Sequence, residues 1–244
     1  MENKEKVKIW VGEVPGYRLL DSGNKQKLEE IIGENGTKIR IVRAEPRAWW
    51  KPELPEEEWQ KVKRGAKESF ETVIDLGAGE LKAKIKYKNS SKHIGIFPEQ
   101  ISQWNWIKNK IENSLDGAHR NEHRGEINIL NLFGYTGIAS LVAAKAGLSR
   151  EGSPKWGAKV THVDASKATI DWARENQKIS MLEDAPIRWI LDDAVKFINK
   201  EIARSNRYDA IIMDPPSYGK GPKGEIWKIE EKTCFYENIV LMLN

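Results

Sequence analysis

Apolar and polar positions divide the chain into two stretches. In the first, to about Lys92, the pattern is that of strands. Val7–Val11, Lys38–Arg43 and Thr72–Leu76 are short runs rich in aliphatic and β-branched residues. Leu81, Ala83, Ile85 and Tyr87 alternate with Lys82, Lys84, Lys86 and Lys88, a period of two that predicts a half-buried strand. The lysines read as guards of an exposed strand face or edge, with RNA contact as the alternative. Between these strands Pro46, Pro52 and Pro55 argue against regular structure over Glu45–Trp59.

From about Glu99 the period lengthens. Ile101, Trp104, Ile107, Ile111 and Leu115 fit one helical face. Strands then alternate with helices. The strands are Ile127–Leu132, Lys159–Val163, Ile187–Leu191 and Tyr208–Met213. The helices are Ile138–Ala146, Lys167–Ile179 and Ala194–Ala203. This order predicts right-handed crossovers and a parallel sheet. The expected fold class is α/β, a Rossmann-like parallel sheet over 93–244 preceded by a smaller β-rich domain over 1–92, a candidate for substrate recognition. A loop from Tyr218 to Gly224 and one helical stretch ending in Leu241-Met242-Leu243-Asn244 complete the chain.

Composition narrows the class. The 244 residues carry 40 Lys/Arg against 36 Asp/Glu, a net charge of +4 that neither announces a nucleic-acid-binding tail nor excludes a basic groove. Ten Trp and 39% hydrophobic residues point to a globular core. One Cys excludes an internal disulfide framework and a Cys-rich zinc site, and four scattered His make no metal site. The N-terminus does not read as a secretory signal. The apolar run Ile138–Ala144, interrupted by Ser140, falls far short of the ~20 residues that span a bilayer. A cytoplasmic protein without metal or membrane is the expectation.

Ligands of open α/β sheets bind beyond the carboxyl ends of the strands, so the residues just after each strand carry the candidate chemistry. The first strand is followed by Asn131-Leu132-Phe133-Gly134-Tyr135-Thr136-Gly137, either a plain strand-to-helix turn or a turn whose glycines admit a ligand to a helix start. It lacks the three-glycine dinucleotide fingerprint. Asp164, in His162-Val163-Asp164-Ala165-Ser166, is placed to accept from ribose hydroxyls or to cap the next helix, for which Ser166 is the better candidate. In Asp192-Asp193-Ala194 a carboxylate accepts either from an exocyclic amine or from the helix start. In Asp214-Pro215-Pro216-Ser217-Tyr218 two prolines make a rigid, carbonyl-lined ledge with an acid at its root. A fifth segment, Asp75-Leu76-Gly77-Ala78-Gly79, has similar glycines but runs into the alternating strand, and reads as a hairpin turn.

This set of motifs resembles the class I S-adenosylmethionine-dependent methyltransferases. More narrowly it resembles the branch with the large-subunit ribosomal RNA cytosine-C5 methyltransferases. His93-Ile94-Gly95-Ile96-Phe97-Pro98-Glu99-Gln100 is similar to a segment that precedes that branch's cofactor domain. The resemblance implies S-adenosylmethionine as cofactor and methylation of RNA, with ribosomal RNA processing as the context. Asn131 and Phe133–Gly137 would hold its methionine end; Asp164, with Ala165 and Ser166, the ribose; Asp193, with Ala194, the adenine amine. Phe97 and Gln100 would close over it. Asp214, Pro215, Pro216 and Ser217 would face the target base.

Three features depart from the pattern. Two polar loops, Asp116–Gly125 and Leu148–Trp156, enter strands at their amino ends, away from the expected crevice. Only four strands of the family's seven are visible, so the methyltransferase fold is expected to be incomplete at its C-terminus, leaving Leu241-Met242-Leu243 without a later element to pack on. Cytosine-C5 chemistry requires a thiolate that adds at C6. Cys234, set among Phe235, Ile239 and Val240 on a predicted helix, reads as a core residue. The alternatives are a methyltransferase for a protein or small-molecule acceptor, and a non-catalytic RNA-binding module of methyltransferase shape. The sequence leaves the oligomeric state open.

Overall fold

The computed structural model describes residues 14–45, 51–65, 69–77, 80–88, 93–116, 127–146, 157–220, 226–228 and 233–243. The chain divides into two compact units, Met1–Gln103 and Trp104–Asn244. The expected strand Val7–Val11 and most of the two polar loops lie outside the described residues.

In the first unit β1 (Tyr17–Gly23), β2 (Gln26–Ile32) and β3 (Lys38–Ala44) form an antiparallel meander. Helix α1 (Glu56–Gly65) buries Trp59 and Val62 against Leu28 of β2. The Glu45–Trp59 segment is therefore regular at its end, contrary to expectation. The prolines stop before the helix rather than break it: the Pro55 carbonyl accepts from Glu58 N at 3.0 Å. Glu56, Glu57 and Glu58 sit at the positive end of the helix dipole, and Lys63 and Arg64 at the negative end.

The sequence pattern did not reveal β1 and β2, because β2 buries charge. Glu29 is fully buried, and the Arg43 guanidinium forks onto both of its oxygens while the Tyr17 hydroxyl donates to Oε1 at 2.6 Å. Burial, then the Glu29 charge, pushes the Tyr17 hydroxyl well above the usual tyrosine range, so it remains a donor. Lys27 pairs with Glu45 at 3.0 Å. Buried charges paired in this way survive where single ones would not.

Strands β4 (Ser69–Asp75) and β5 (Lys82–Lys88) form the expected hairpin, with Asp75 opposite Lys82. Ala83, Ile85 and Tyr87 of β5 are buried. On the polar face Lys82 pairs with Glu34 at 2.5 Å and Lys84 with Glu71 at 3.0 Å, so these lysines serve local ion pairs.

Helix α2 (Ile101–Asp116) leads into the second unit, burying Trp104, Ile107 and Ile111. There β6 (Ile127–Leu132), β7 (Ala158–Asp164), β8 (Ile187–Leu191) and β9 (Ala210–Met213) make a parallel sheet in the order β8-β7-β6-β9. Helices α3 (Ile138–Lys145), α4 (Lys167–Ile179) and α5 (Ala194–Ala203) provide the crossovers. The pleat sends alternate side chains to opposite faces. Leu130, Leu132 and Val163 join Phe197 and Ile198 of α5 in one core, whereas Asn131 and His162 meet Ser140 of α3 on the other. The sheet thus has helices on both faces.

Two expectations fail beyond β9. The Tyr218–Gly224 segment is not simply a loop. Tyr218–Lys220 (β10) pairs with Ile226–Lys228 (β11) in an antiparallel hairpin. Nor is the end of the chain unpacked. Helix α6 (Thr233–Val240) brings Phe235 and Ile239 into the α5-side core, and Met242 is fully buried there. The Met242 carbonyl accepts from Tyr208 N at 2.9 Å, so the entry to β9 holds the residues just after α6. The neighbouring Leu241 and Leu243 are exposed. The Cys234 side chain lies outside the described residues.

Candidate functional site

Register alone brings the candidate residues to one edge. Leu132 stands opposite Val163 on one side and Met213 on the other, and Asp164 stands opposite Leu191. The strands are parallel, so Phe133, Asp164, Asp192 and Asp214 all emerge at the carboxyl edge. The chain builds outward from β6 through β7 to β8 and then returns to β6's other side with β9. That reversal opens the crevice in which such sheets hold ligands.

The turn after β6 is held in an uncommon backbone conformation. Phe133 and Tyr135 adopt left-handed φ angles of 55° and 52°, and Gly137 one of 83°. Such angles cost a non-glycine residue on the order of 1 kcal/mol or more and persist only where neighbours enforce them. Gly134 N donates to Val163 O at 3.1 Å, Tyr135 N to the Asp164 carboxylate at 2.9 Å, and Asn176 Nδ2 to Thr136 O at 2.9 Å. Gly137 then begins α3 without a side-chain cap, leaving first-turn N–H groups that no intrahelical acceptor satisfies.

Beneath the turn lies His162, fully buried. A Cβ on Gly134 would sit 2.3 Å from His162 Cε1, so the imidazole occupies the space a side chain would need. Asn131 Nδ2 donates to Ser140 Oγ at 2.8 Å, and Ser140 Oγ lies 3.0 Å from His162 Nδ1. The serine hydroxyl keeps both a hydrogen and a second acceptor position for Nδ1, so this contact is compatible with either neutral tautomer of the ring. Nε2 has no partner among the described residues. Burial pushes the imidazole pKa down to about 3, so the ring is neutral.

Asp164 is a hub of the turn. Its Oδ1 accepts from Ser166 N and Thr169 Oγ1, each at 2.8 Å, while Oδ2 accepts from Tyr135 N at 2.9 Å. Each carboxylate oxygen has two acceptor positions, so one on Oδ2 is left for a ligand. Ser166 caps α4, accepting from Thr169 N at 3.3 Å. Asp193 caps α5 through Oδ1, which accepts from Lys196 N at 3.0 Å. Asp192 turns to Asp193 N and to Lys200.

The expected residues thus take different places. Phe133–Gly137, Asp164, Ala165, Ser166, Asp193 and Asp214–Ser217 lie along the carboxyl edge. Asn131 is buried against α3, and Ala194 joins the α5-side core. Phe97 and Gln100 belong to the first unit, where Phe97 edges onto His93 and its carbonyl accepts from Gln100 N at 2.9 Å. Sequence reasoning gave no role to His162, Ser140, Trp227 or Phe235. Trp227 Nε1 donates to Pro216 O at 2.6 Å, and its ring meets Phe133 at 4.8 Å and Phe235 at 5.1 Å. No local signal marks a tryptophan that acts across a hairpin.

The turn fits S-adenosylmethionine on its own chemistry. It offers a backbone without a side chain at Gly134, free helix-start N–H groups for a carboxylate, and spare acceptors on Asp164 and Asp193. No family model matches the chain. A ribosomal RNA large subunit methyltransferase K/L of Colwellia psychrerythraea is 25% identical over 255 residues, covering 92% of this chain but 32% of that protein. One of the same description from Syntrophotalea carbinolica is 34% identical over 89 residues, which are 36% of this chain and 11% of that protein. The chain therefore spans a third or less of these relatives. The crystal structure of an S-adenosylmethionine-dependent methyltransferase from Agrobacterium tumefaciens is 37% identical, with a TM-score of 0.75, over 96% of this chain and 71% of that one. With the strand order, the turn and the acids at the strand ends all agreeing, the chain belongs to the class I methyltransferases whose cofactor is S-adenosylmethionine.

Proposed function

We propose that this protein transfers a methyl group from S-adenosylmethionine to RNA, to a base of ribosomal RNA, in the cytoplasm. The observation that carries the reading is the convergence at one sheet edge of the turn, Asp164, Asp193 and the Asp214-Pro-Pro ledge. The likeness to ribosomal RNA methyltransferases supports RNA as acceptor. The cofactor supplies an electrophilic methyl on a sulfonium, so the protein's task is to align donor and acceptor in line. The turn and the start of α3 hold the methionine end. Asp164 Oδ2 accepts from the ribose, and Asp193 Oδ2 from the adenine amine.

Asp214, Pro216 and Ser217 are exposed at the end of β9 and face the acceptor. A reading as an amine methyltransferase would use the ledge carbonyls as acceptors, and that of Pro216 already gives one of its two acceptor positions to the Trp227 N–H. Cytosine C5 is the narrower reading that the family resemblance favours. It requires a thiolate, and none is assigned among the described residues.

One experiment tests the roles together. Radiolabelled methyl transfer to bulk RNA, protein and small-molecule extracts is measured for wild type, Asp214→Asn and Asp164→Ala, alongside calorimetry with S-adenosylhomocysteine. Asp214→Asn should abolish transfer and leave S-adenosylhomocysteine affinity nearly intact. Asp164→Ala should weaken binding roughly ten- to a hundredfold, about 1.5–3 kcal/mol. An unchanged dissociation constant in Asp164→Ala removes its assignment, and label in protein alone removes RNA as the acceptor.

A further inference from the structure

We propose that Trp227 is a positioning residue that couples the cofactor-holding turn to the acceptor-facing ledge; the inference rests on the methyltransferase reading above. Three contacts meet on this one side chain, which is 8% exposed. Its N–H donates to the Pro216 carbonyl at 2.6 Å. Its ring is tilted against Phe133 with centroids 4.8 Å apart and planes at 59°. Phe235 of α6 also lies against it, 5.1 Å away and nearly perpendicular.

Each contact acts on something the site needs fixed. Phe133 is held at φ 55° between Leu132, paired in the sheet, and Gly134, bonded to Val163 O, while no backbone bond fixes its ring. The Trp227–Phe133–Phe235 cluster supplies that constraint by packing on the Phe133 ring. The ledge has the opposite problem. Pro215 and Pro216 have no N–H groups, so at these two positions only the carbonyl oxygens can take a hydrogen bond. The indole N–H, a donor with no acceptor role, ties the second of them. The hairpin makes this reach geometric rather than accidental: Gly219, three residues beyond Pro216, pairs in register with Trp227 and folds it back over the prolines.

Through these contacts any displacement of the turn by the cofactor would pass to the indole and from the indole to the ledge. Trp227→Phe separates the two arms, since it keeps a ring against Phe133 and removes the N–H, at the cost of the smaller volume of a single ring. Trp227→Leu removes both.

The test is amide hydrogen exchange, with and without S-adenosylhomocysteine, on the full chain. In wild type the ligand should slow exchange in the turn and also at Ser217–Lys220. In Trp227→Phe the turn should remain protected with a dissociation constant within about twofold of wild type. The ligand-dependent protection of Ser217–Lys220 should fall about tenfold, and kcat for methyl transfer should fall similarly without a change in KM for the cofactor. Trp227→Leu should weaken ligand binding as well. Ledge protection in Trp227→Phe equal to wild type overturns the coupling. So does a uniform rise in exchange across the whole unit, which marks a purely structural role. Failure of wild type to bind S-adenosylhomocysteine overturns the functional reading itself, and the coupling with it.

Discussion

Two glycine-bearing turns in this protein follow strands of similar ending, Asn131-Leu132-Phe133-Gly134 after β6 and Asp75-Leu76-Gly77 after β4. Among the described residues the β4 turn bonds mainly within its hairpin, with one tie from outside, Gly16 N to Asp75 O at 2.9 Å. Gly77 N donates to Asp75 Oδ1 at 2.7 Å, and Leu76 N to Leu81 O at 2.9 Å. The β6 turn is held from a distance, by Val163 O, by the Asp164 carboxylate 29 residues on and by the Asn176 amide 40 residues on. A turn whose own N–H groups bond within its hairpin takes its shape mostly from local residues. A turn held by other elements is shaped by the whole sheet and presents its backbone as that sheet dictates. Glycine spacing alone does not separate the two; the partners do.

The largest expected break in this comparison is Gly134→Ala. The added methyl would meet His162 at 2.3 Å, and that ring is confined by Ser140 and by Trp189, whose centroid is 4.6 Å away. Overpacking of a rigid neighbour should cost about 3 kcal/mol in urea unfolding and more than about tenfold in S-adenosylhomocysteine affinity. The double variant Gly134→Ala/His162→Ala should recover part of the stability, because the clash is removed with the ring. Additive losses would mean that His162 does not set the size limit at Gly134.

The contrast also shows what a sequence can display. Helices α4 and α5 and strand β8 were legible residue for residue, because period and capping residues agree with the tertiary structure there. The strand-end positions of Asp164 and Asp214 followed from strand alternation with helices. What was not legible is non-local. Strand β2 hides behind Lys27, Glu29 and Glu30, whose burial depends on Arg43, Glu45 and Tyr17 of other segments. Helix α1 hides behind Pro55, which breaks a helix interior but precedes this one. Trp227 hides because its partners, Pro216 and Phe133, are brought to it by a hairpin and a parallel sheet. Even Asp164, placed correctly, has a structural task that its spacing does not disclose: it receives three donors from its own chain.

Acid should loosen the β6 turn in a way the β4 turn does not share. Burial holds His162 neutral down to about pH 3, whereas an unfolded histidine takes a proton near pH 6.5. The neutral ring's contribution to stability is complete above about pH 6.5. It is lost progressively as pH falls from there toward 3, because only the unfolded chain binds the proton. By about pH 5 the loss should be about 2 kcal/mol, at 1.36 kcal/mol per unit. His162→Gln carries no proton to gain, so its stability curve over the same interval should be flatter by that amount, read from urea midpoints at each pH. Parallel curves for the two proteins would show that another group sets the acid limb.

The smallest effect is expected at the β4 turn. Gly77 has φ 66°, and a Cβ there would lie 3.0 Å from Pro15 Cδ, a contact that a small shift of the ring relieves. Gly77→Ala should therefore cost about 1 kcal/mol, nearly all of it the left-handed backbone penalty. Gly77→Asn should cost less, since asparagine tolerates that region better. Neither should alter S-adenosylhomocysteine affinity beyond about twofold, because the Leu76 and Gly77 N–H groups of this turn bond within its own hairpin and not to the strand-end acids. Equal losses for alanine and asparagine would show that space beside Pro15, rather than backbone conformation, requires the glycine. A drop in S-adenosylhomocysteine affinity with either would make the β4 turn, like the β6 turn, part of the cofactor's surroundings, and would erase the distinction between a turn closed locally and one held by the sheet.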